Sequence, residues 1–117
     1  MLPPDEFDAI VENGLRLIPK RFRRAMRNVA IVVEQEPPRP GLLGLYQGRP
    51  LANRSVFESF AMPDKITIYQ GPHERLSRTR AELEQMVADT VWHEIAHHFG
   101  MNEERVRRAE RARRKPR

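Results

Sequence analysis

Apolar residues recur every three to four positions near the start of the chain, at Phe7, Ile10, Val11, Leu15 and Ile18. That period predicts a helix over residues 6–27, with Asp5 as its candidate cap. Pro19 interrupts the pattern, so two helices or one kinked helix are expected. The period then changes. Val29, Ile31 and Val33 alternate with Ala30 and Val32, which predicts a first strand over residues 28–36. Pro37, Pro38, Pro40 and Gly41 break it. Residues 42–47 predict a second, shorter strand, and an irregular stretch begins at Gly48 and runs through Pro63. Residues 66–70 predict a third strand, ended by Gly71 and Pro72. A spacing of four returns at Val87, Val91, Ile95 and Phe99 and marks a long helix with a buried stripe, broadened by Trp92 and Ala96. Ser77 or Thr79 starts it, Thr79 and Glu82 having the spacing of a capping box. Helix, strands and helix in this order predict an α+β domain.

The last turns of that helix carry chemistry. His93-Glu94-Ile95-Ala96-His97 reads H-E-x-x-H, and it extends through His98, Phe99, Gly100, Met101 and Asn102 to Glu103 as H-E-x-x-H-x-x-G-x-x-E. At about 100° per residue, His93 and His97 stand one turn apart and roughly 40° around the axis, so two imidazole nitrogens can meet one ion. Glu94 lies about a quarter turn away, near enough to reach a water on that ion without ligating it. Gly100 allows a left-handed residue that ends the helix and turns the chain, returning a side chain three positions later. Two histidines and a carboxylate, with one position left for water, form a catalytic zinc arrangement.

At these residues the chain resembles the zincin superfamily and, more closely, the short bacterial zincin-like metallopeptidases. Those are single-domain proteins with a motif such as H-E-I-A-H-H-F-G followed by an acidic pair. The resemblance is specific over residues 89–106 and extends in layout over about residues 5–106. It implies zinc ligands at His93, His97 and the first acidic residue, Glu103, and a catalytic role for Glu94. The family usually has aspartate where Glu103 stands, which leaves Glu104 as a competitor for the third ligand and Glu110 as a more distant one. The implied fold is a minimal zincin-like domain: an N-terminal helix or helix pair, a small mixed sheet of about three strands, and a long active-site helix. In that superfamily an edge strand lies above the metal and pairs with an extended peptide. Residues 42–47 or 66–70 would supply it here.

Composition sets the remaining bounds. The 117 residues make one domain with one modest core, and the absence of cysteine excludes disulfides and thiolate ligands. No hydrophobic signal segment or stretch of transmembrane length is present, so no membrane association and a cytoplasmic location are expected. The net charge of +5 is concentrated after Glu104, where Glu110 is the only acidic residue. Two regions follow: a metallopeptidase domain over residues 1–106 and a basic tail over residues 107–117, a helical extension or a disordered segment. The tail is physically suited to nucleic acid or another acidic partner, although no aromatic residues are interleaved for base stacking. A second basic group, Arg21, Arg23, Arg24 and Arg27, reads as a solvated helix face.

Other polar residues are candidates for support. Asp89, four residues before His93, is placed to receive an imidazole N–H and fix its tautomer. His98 points about 140° away from His93 and is expected to pack or to make an ordinary hydrogen bond. His73, Tyr46 and Tyr69 are candidate donors to an oxyanion. The expected activity is peptide-bond hydrolysis with Zn²⁺ as cofactor, a peptide or protein as substrate, and Glu94 as general base. The alternative is a metal-binding interaction module that is catalytically weak or inactive and works through its basic tail.

Overall fold

Pro4 opens the first helix, α1 (Pro4–Arg16), in a turn where its missing N–H leaves no bond unmade. Asp5 and Glu6 lie inside that first turn, where their charges complement the positive helix end. The expected capping by Asp5 therefore does not occur; Pro3 holds the cap position, with no side-chain cap bond. Phe7, Ile10, Val11 and Gly14 form the buried face. Pro19 splits the helical region in two, as its fixed φ and absent donor require, and a short α2 (Lys20–Ala25) follows it. The computed structural model describes residues 1–48 and 63–114. Most of the irregular stretch expected before Pro63, and the final residues 115–117, lie outside them.

Three strands follow: β1 (Val29–Glu34), β2 (Gly44–Gln47) and β3 (Asp64–Tyr69), in the spatial order β1-β3-β2. The sheet is mixed. β1 runs parallel to β3 with Ile31 opposite Ile66, and β2 runs antiparallel to it with Tyr46 opposite Ile66. The central position of β3 explains its composition, since both faces are covered and Ile66, Thr67, Ile68 and Tyr69 are all buried. This arrangement also decides the edge. Residues 66–70 belong largely to the central strand, so among the described residues β2 is the edge strand on that side.

The Gly71-Pro72 pair does more than end β3. It lies in the first turn of a further short helix, α3 (Gln70–Leu76), where proline is tolerated. Thr79 then caps the long helix α4 (Arg80–His98), accepting a bond from the Glu82 N–H at 3.1 Å. Glu82 reaches back to the N–H of Arg78 at 2.7 Å, one residue before the cap itself. Val87, Val91 and Ile95 are fully buried against α1 and the sheet, forming the stripe that their spacing predicts. Burying three such side chains contributes on the order of 5 kcal/mol or more before chain entropy is counted.

Gly100 stops α4 with φ of +89°. Its N–H bonds the His97 carbonyl at 2.9 Å, and that of Met101 bonds the Ala96 carbonyl at 3.1 Å. These are the paired bonds of a Schellman turn. Asn102 caps the last helix, α5 (Glu103–Arg114), accepting from the Arg105 N–H at 2.9 Å. Val106 is fully buried and seats this helix against the domain. The boundary expected after residue 106 thus falls inside α5. Among the described residues, no helix is long and apolar enough to cross a membrane.

Candidate metal centre

One turn of α4 separates His93 from His97, and their ring centroids are 5.0 Å apart. Their Nε2 atoms converge on one carboxylate oxygen: Glu103 Oε1 lies 2.9 Å from His97 Nε2 and 3.3 Å from His93 Nε2. The Schellman turn makes this possible by reversing the chain within four residues, so that the first residue of α5 faces the last turns of α4. Glu104, next along α5, projects outward and pairs with the exposed Arg108 at 3.2 Å. Of the neighbouring pair Glu103 and Glu104, only Glu103 stands beside the histidines.

The other ring nitrogens determine what the site can hold. His97 Nδ1 donates to the Met101 carbonyl at 3.0 Å, and His93 Nδ1 donates to Glu110 Oε1 at 2.9 Å. With both protons at Nδ1, both Nε2 atoms offer lone pairs toward an anionic oxygen. Three acceptors facing one another repel unless a proton or a cation lies among them. All the ligand atoms of His93, His97 and Glu103 fall within 4.8 Å of one another. Two imidazoles and a carboxylate with free Nε2 tautomers match the donor set of a catalytic zinc site.

Asp89 was the carboxylate expected to orient an imidazole. It instead accepts from Gln85 Nε2 at 3.0 Å, and Glu110, from the region read as a tail, takes the place beside His93. A helical spacing could have revealed it, because Glu103, Val106 and Glu110 share one face of α5. Its place in a strongly basic segment marks Glu110 in the sequence only as a distant ligand candidate. The Met101 carbonyl leaves no side-chain signal at all.

Electrostatics follow from burial and these contacts. Burial pulls the His93 imidazole pKa down, but the Glu110 hydrogen bond and the charges of Glu94 and Glu103 outweigh it and raise the net value. Burial also pushes the Glu103 carboxyl up, while His93 and His97 pull it further down, leaving it below the ordinary glutamate range. Glu94 is different. It is only 7% exposed, and desolvation holds its pKa above the ordinary value despite the opposing pull of His93 and His97.

Glu94 faces a cavity of about 1020 Å³ that His93, His97 and Glu103 also line. Leu43, Gly44 and Tyr46 bring the β2 side to the opposite wall. His98 is fully buried, donating from Nδ1 to Asp64 at 2.9 Å and accepting from the Arg27 N–H at 3.4 Å. The Tyr46 hydroxyl donates to the same Asp64 oxygen. His73 lies in α3 and not in a loop; it is buried, with Nδ1 donating to the Tyr69 carbonyl at 2.6 Å and Nε2 2.8 Å from Thr90 Oγ1. Tyr69 is buried as well. The structure thus does not bring His73 to the metal centre, and the polar atoms of His73 and Tyr46 are engaged in bonds within the core.

Comparison with known proteins gives a family and a similar fold. Residues 26–112 match the family model described as zincin-like metallopeptidase. A solved structure, that of a conserved hypothetical protein from T. thermophilus, is similar with a TM-score of 0.56 and 29% sequence identity. The similarity covers 82% of this chain and 92% of that one. No curated protein matches the sequence.

Proposed function

The chain belongs to the zincin-like metallopeptidase family, and from that premise we propose that it is a zinc-dependent peptidase. The observation that carries the reading is the convergence of His93 Nε2, His97 Nε2 and Glu103 Oε1, with each imidazole's other nitrogen already committed. His93, His97 and Glu103 are the proposed ligands. When bound, zinc supplies the Lewis acidity that lowers the pKa of a water and polarises a substrate carbonyl.

This chain's own residues do the rest. Glu94, desolvated and with a raised pKa, takes a proton from the attacking water and later delivers it to the leaving amine. A carboxylate whose pKa burial has raised holds the proton between the two transfers more readily than an ordinary exposed one. Among the described residues β2 is a sheet edge beside the cavity, which suits it to guide an extended peptide whose side chains the cavity takes. A peptide held there would present a scissile carbonyl to the cavity that Glu94 and β2 both line.

A second reading has its own support, the exposed outer face of α5 bearing Arg105, Arg107, Arg108 and Arg111. In it, the metal is structural and the basic helix contacts nucleic acid or another acidic partner.

The test is metal content by elemental analysis of untagged protein, together with cleavage of a peptide library by wild type and Glu94→Gln. One zinc per chain in both proteins, with cleavage by wild type alone, is the expected result. Equal cleavage by Glu94→Gln excludes the mechanism. A metal-bearing but inactive wild type favours the second reading, and no metal after reconstitution with zinc excludes both.

A further inference from the structure

The two imidazoles of the centre are held in different ways. His97 Nδ1 is fixed by a main-chain carbonyl, that of Met101. His93 Nδ1 is fixed by a single side chain, Glu110, which comes from α5 seventeen residues further along. We infer that Glu110 is a positioning residue of the metal centre, holding His93 in the tautomer and ring orientation that turn Nε2 toward the metal. The inference rests on the metal-site part of the reading above and not on hydrolysis.

Three observations support it. The contact is short, 2.9 Å, and both side chains are largely shielded, His93 at 26% exposure and Glu110 at 22%. Water competes poorly with a shielded, charge-assisted bond, which therefore holds its geometry. Next, a carboxylate at Nδ1 selects the tautomer. A proton moved to Nε2 would leave the Nδ1 lone pair facing Glu110 and would block the ligand position. Finally, α5 is seated so that the contact persists. Glu103 and Glu110 are seven residues apart, about two turns, and the fully buried Val106 lies between them on the same face. One helix therefore presents both the proposed third ligand and the support for the first. A carboxylate on the outer nitrogen also makes an imidazole a stronger donor to a metal.

The experiment compares wild type with Glu110→Ala, Glu110→Gln and, as a control on the exposed face of the same helix, Glu104→Ala. Zinc affinity is read by competition with a chromophoric chelator, the visible spectrum is recorded after cobalt substitution, and the unfolding midpoint of the metal-free proteins is taken. Loss of an outer carboxylate of this kind weakens metal binding by about 10- to 100-fold, which is the expected effect of Glu110→Ala. Glu110→Gln keeps an acceptor oxygen at Nδ1, so it should recover much of that loss and keep a cobalt spectrum close to wild type. Glu104→Ala should match wild type throughout. Zinc affinity within twofold of wild type in Glu110→Ala would overturn the inference. So would equal losses in both Glu110 variants accompanied by a matching fall in metal-free stability, which would mark a purely structural contact. Abolished binding, as deep as that of His97→Ala, would make Glu110 a ligand and also overturn it. Wild type that binds zinc but cleaves no peptide would remove the peptidase reading and leave this inference standing; wild type that binds none removes both.

Discussion

Gly44 on the edge strand β2 stands directly against Glu94 on α4. A methyl group at Gly44 would lie 3.1 Å from Glu94 Cγ, 2.8 Å from Thr90 Cγ2 and 3.1 Å from the Thr67 carbonyl oxygen. Strand and helix meet so closely that only a hydrogen fits between them. This approach brings the strand proposed to bind substrate beside the proposed base. It also helps exclude water from Glu94, and burial is the main cause of that residue's raised pKa.

Gly44→Ala is accordingly expected to push β2 away from α4, because the Thr67 carbonyl belongs to the adjoining central strand and cannot yield. Overpacking of this kind costs about 1–3 kcal/mol. Zinc content should be unchanged while peptide cleavage falls. Adding Thr90→Ser removes the nearer methyl while keeping the hydroxyl, so the double variant should recover part of the lost stability in a denaturant titration. Additive losses would show that Thr90 is not what Gly44 must avoid.

The choice of third ligand gives a second prediction. Glu103→Ala should lose zinc under dialysis, whereas Glu104→Ala, whose carboxylate pairs outward with Arg108, should retain one equivalent. Elemental analysis of the two purified variants is sufficient. Retention by Glu103→Ala would move the ligand elsewhere.

At Gly100 the backbone adopts φ of +89°, a conformation that costs a residue bearing Cβ about 1–2 kcal/mol. Gly100→Ala should lower the thermal midpoint by several degrees. It should also weaken zinc binding, because the same turn sets the Met101 carbonyl on His97 and starts the helix that carries Glu103. An alanine variant with lowered stability but wild-type zinc affinity would show that the turn stabilises the fold without tuning the site.

His73 supplies a prediction about pH. Burial holds its pKa below the ordinary histidine value of about 6.5, only partly opposed by the bond to the Tyr69 carbonyl. The unfolded chain therefore takes up this proton more readily than the folded one. The contribution of His73 to stability is complete above about pH 6.5 and declines as the pH falls from there toward the folded-state value. The denaturation midpoint of wild type, measured without metal between about pH 7.5 and 5.5, should fall more steeply than that of His73→Gln. Parallel curves for the two proteins would remove His73 from the account.

Much of the candidate site was readable because it is local. His93, Glu94 and His97 belong to one helix, and helical period alone fixes their relative directions. The stop at Gly100 and the cap at Thr79 are equally local, each set by the conformational preference of one residue and its near neighbours. The sequence does not signal α3, because Gly-Pro reads as a terminator, yet the same pair fits the first turn of a helix once packing supplies the rest. Asp89 was a reasonable expectation from spacing, but Glu110 of α5 accepts from His93 Nδ1 while Asp89 accepts from Gln85.

The sequence by itself determined the helix and strand alternation, the histidine pair on one helical face, and the sharp turn that brings an acidic residue back. These depend on interactions over a few residues, and the chain's own periodicity encodes them. Only the tertiary structure decided that Glu103 and not Glu104 faces the histidines, that among the described residues β2 is the edge beside Glu94, and that Glu110 reaches His93 from another helix. Each of these depends on how separate elements pack: Val106 sets the rotation of α5, Gly44 permits the approach of β2, and β3 is central because both other strands pair with it. Such choices are made by shape and burial across the core, where distance along the chain carries no information about distance in space.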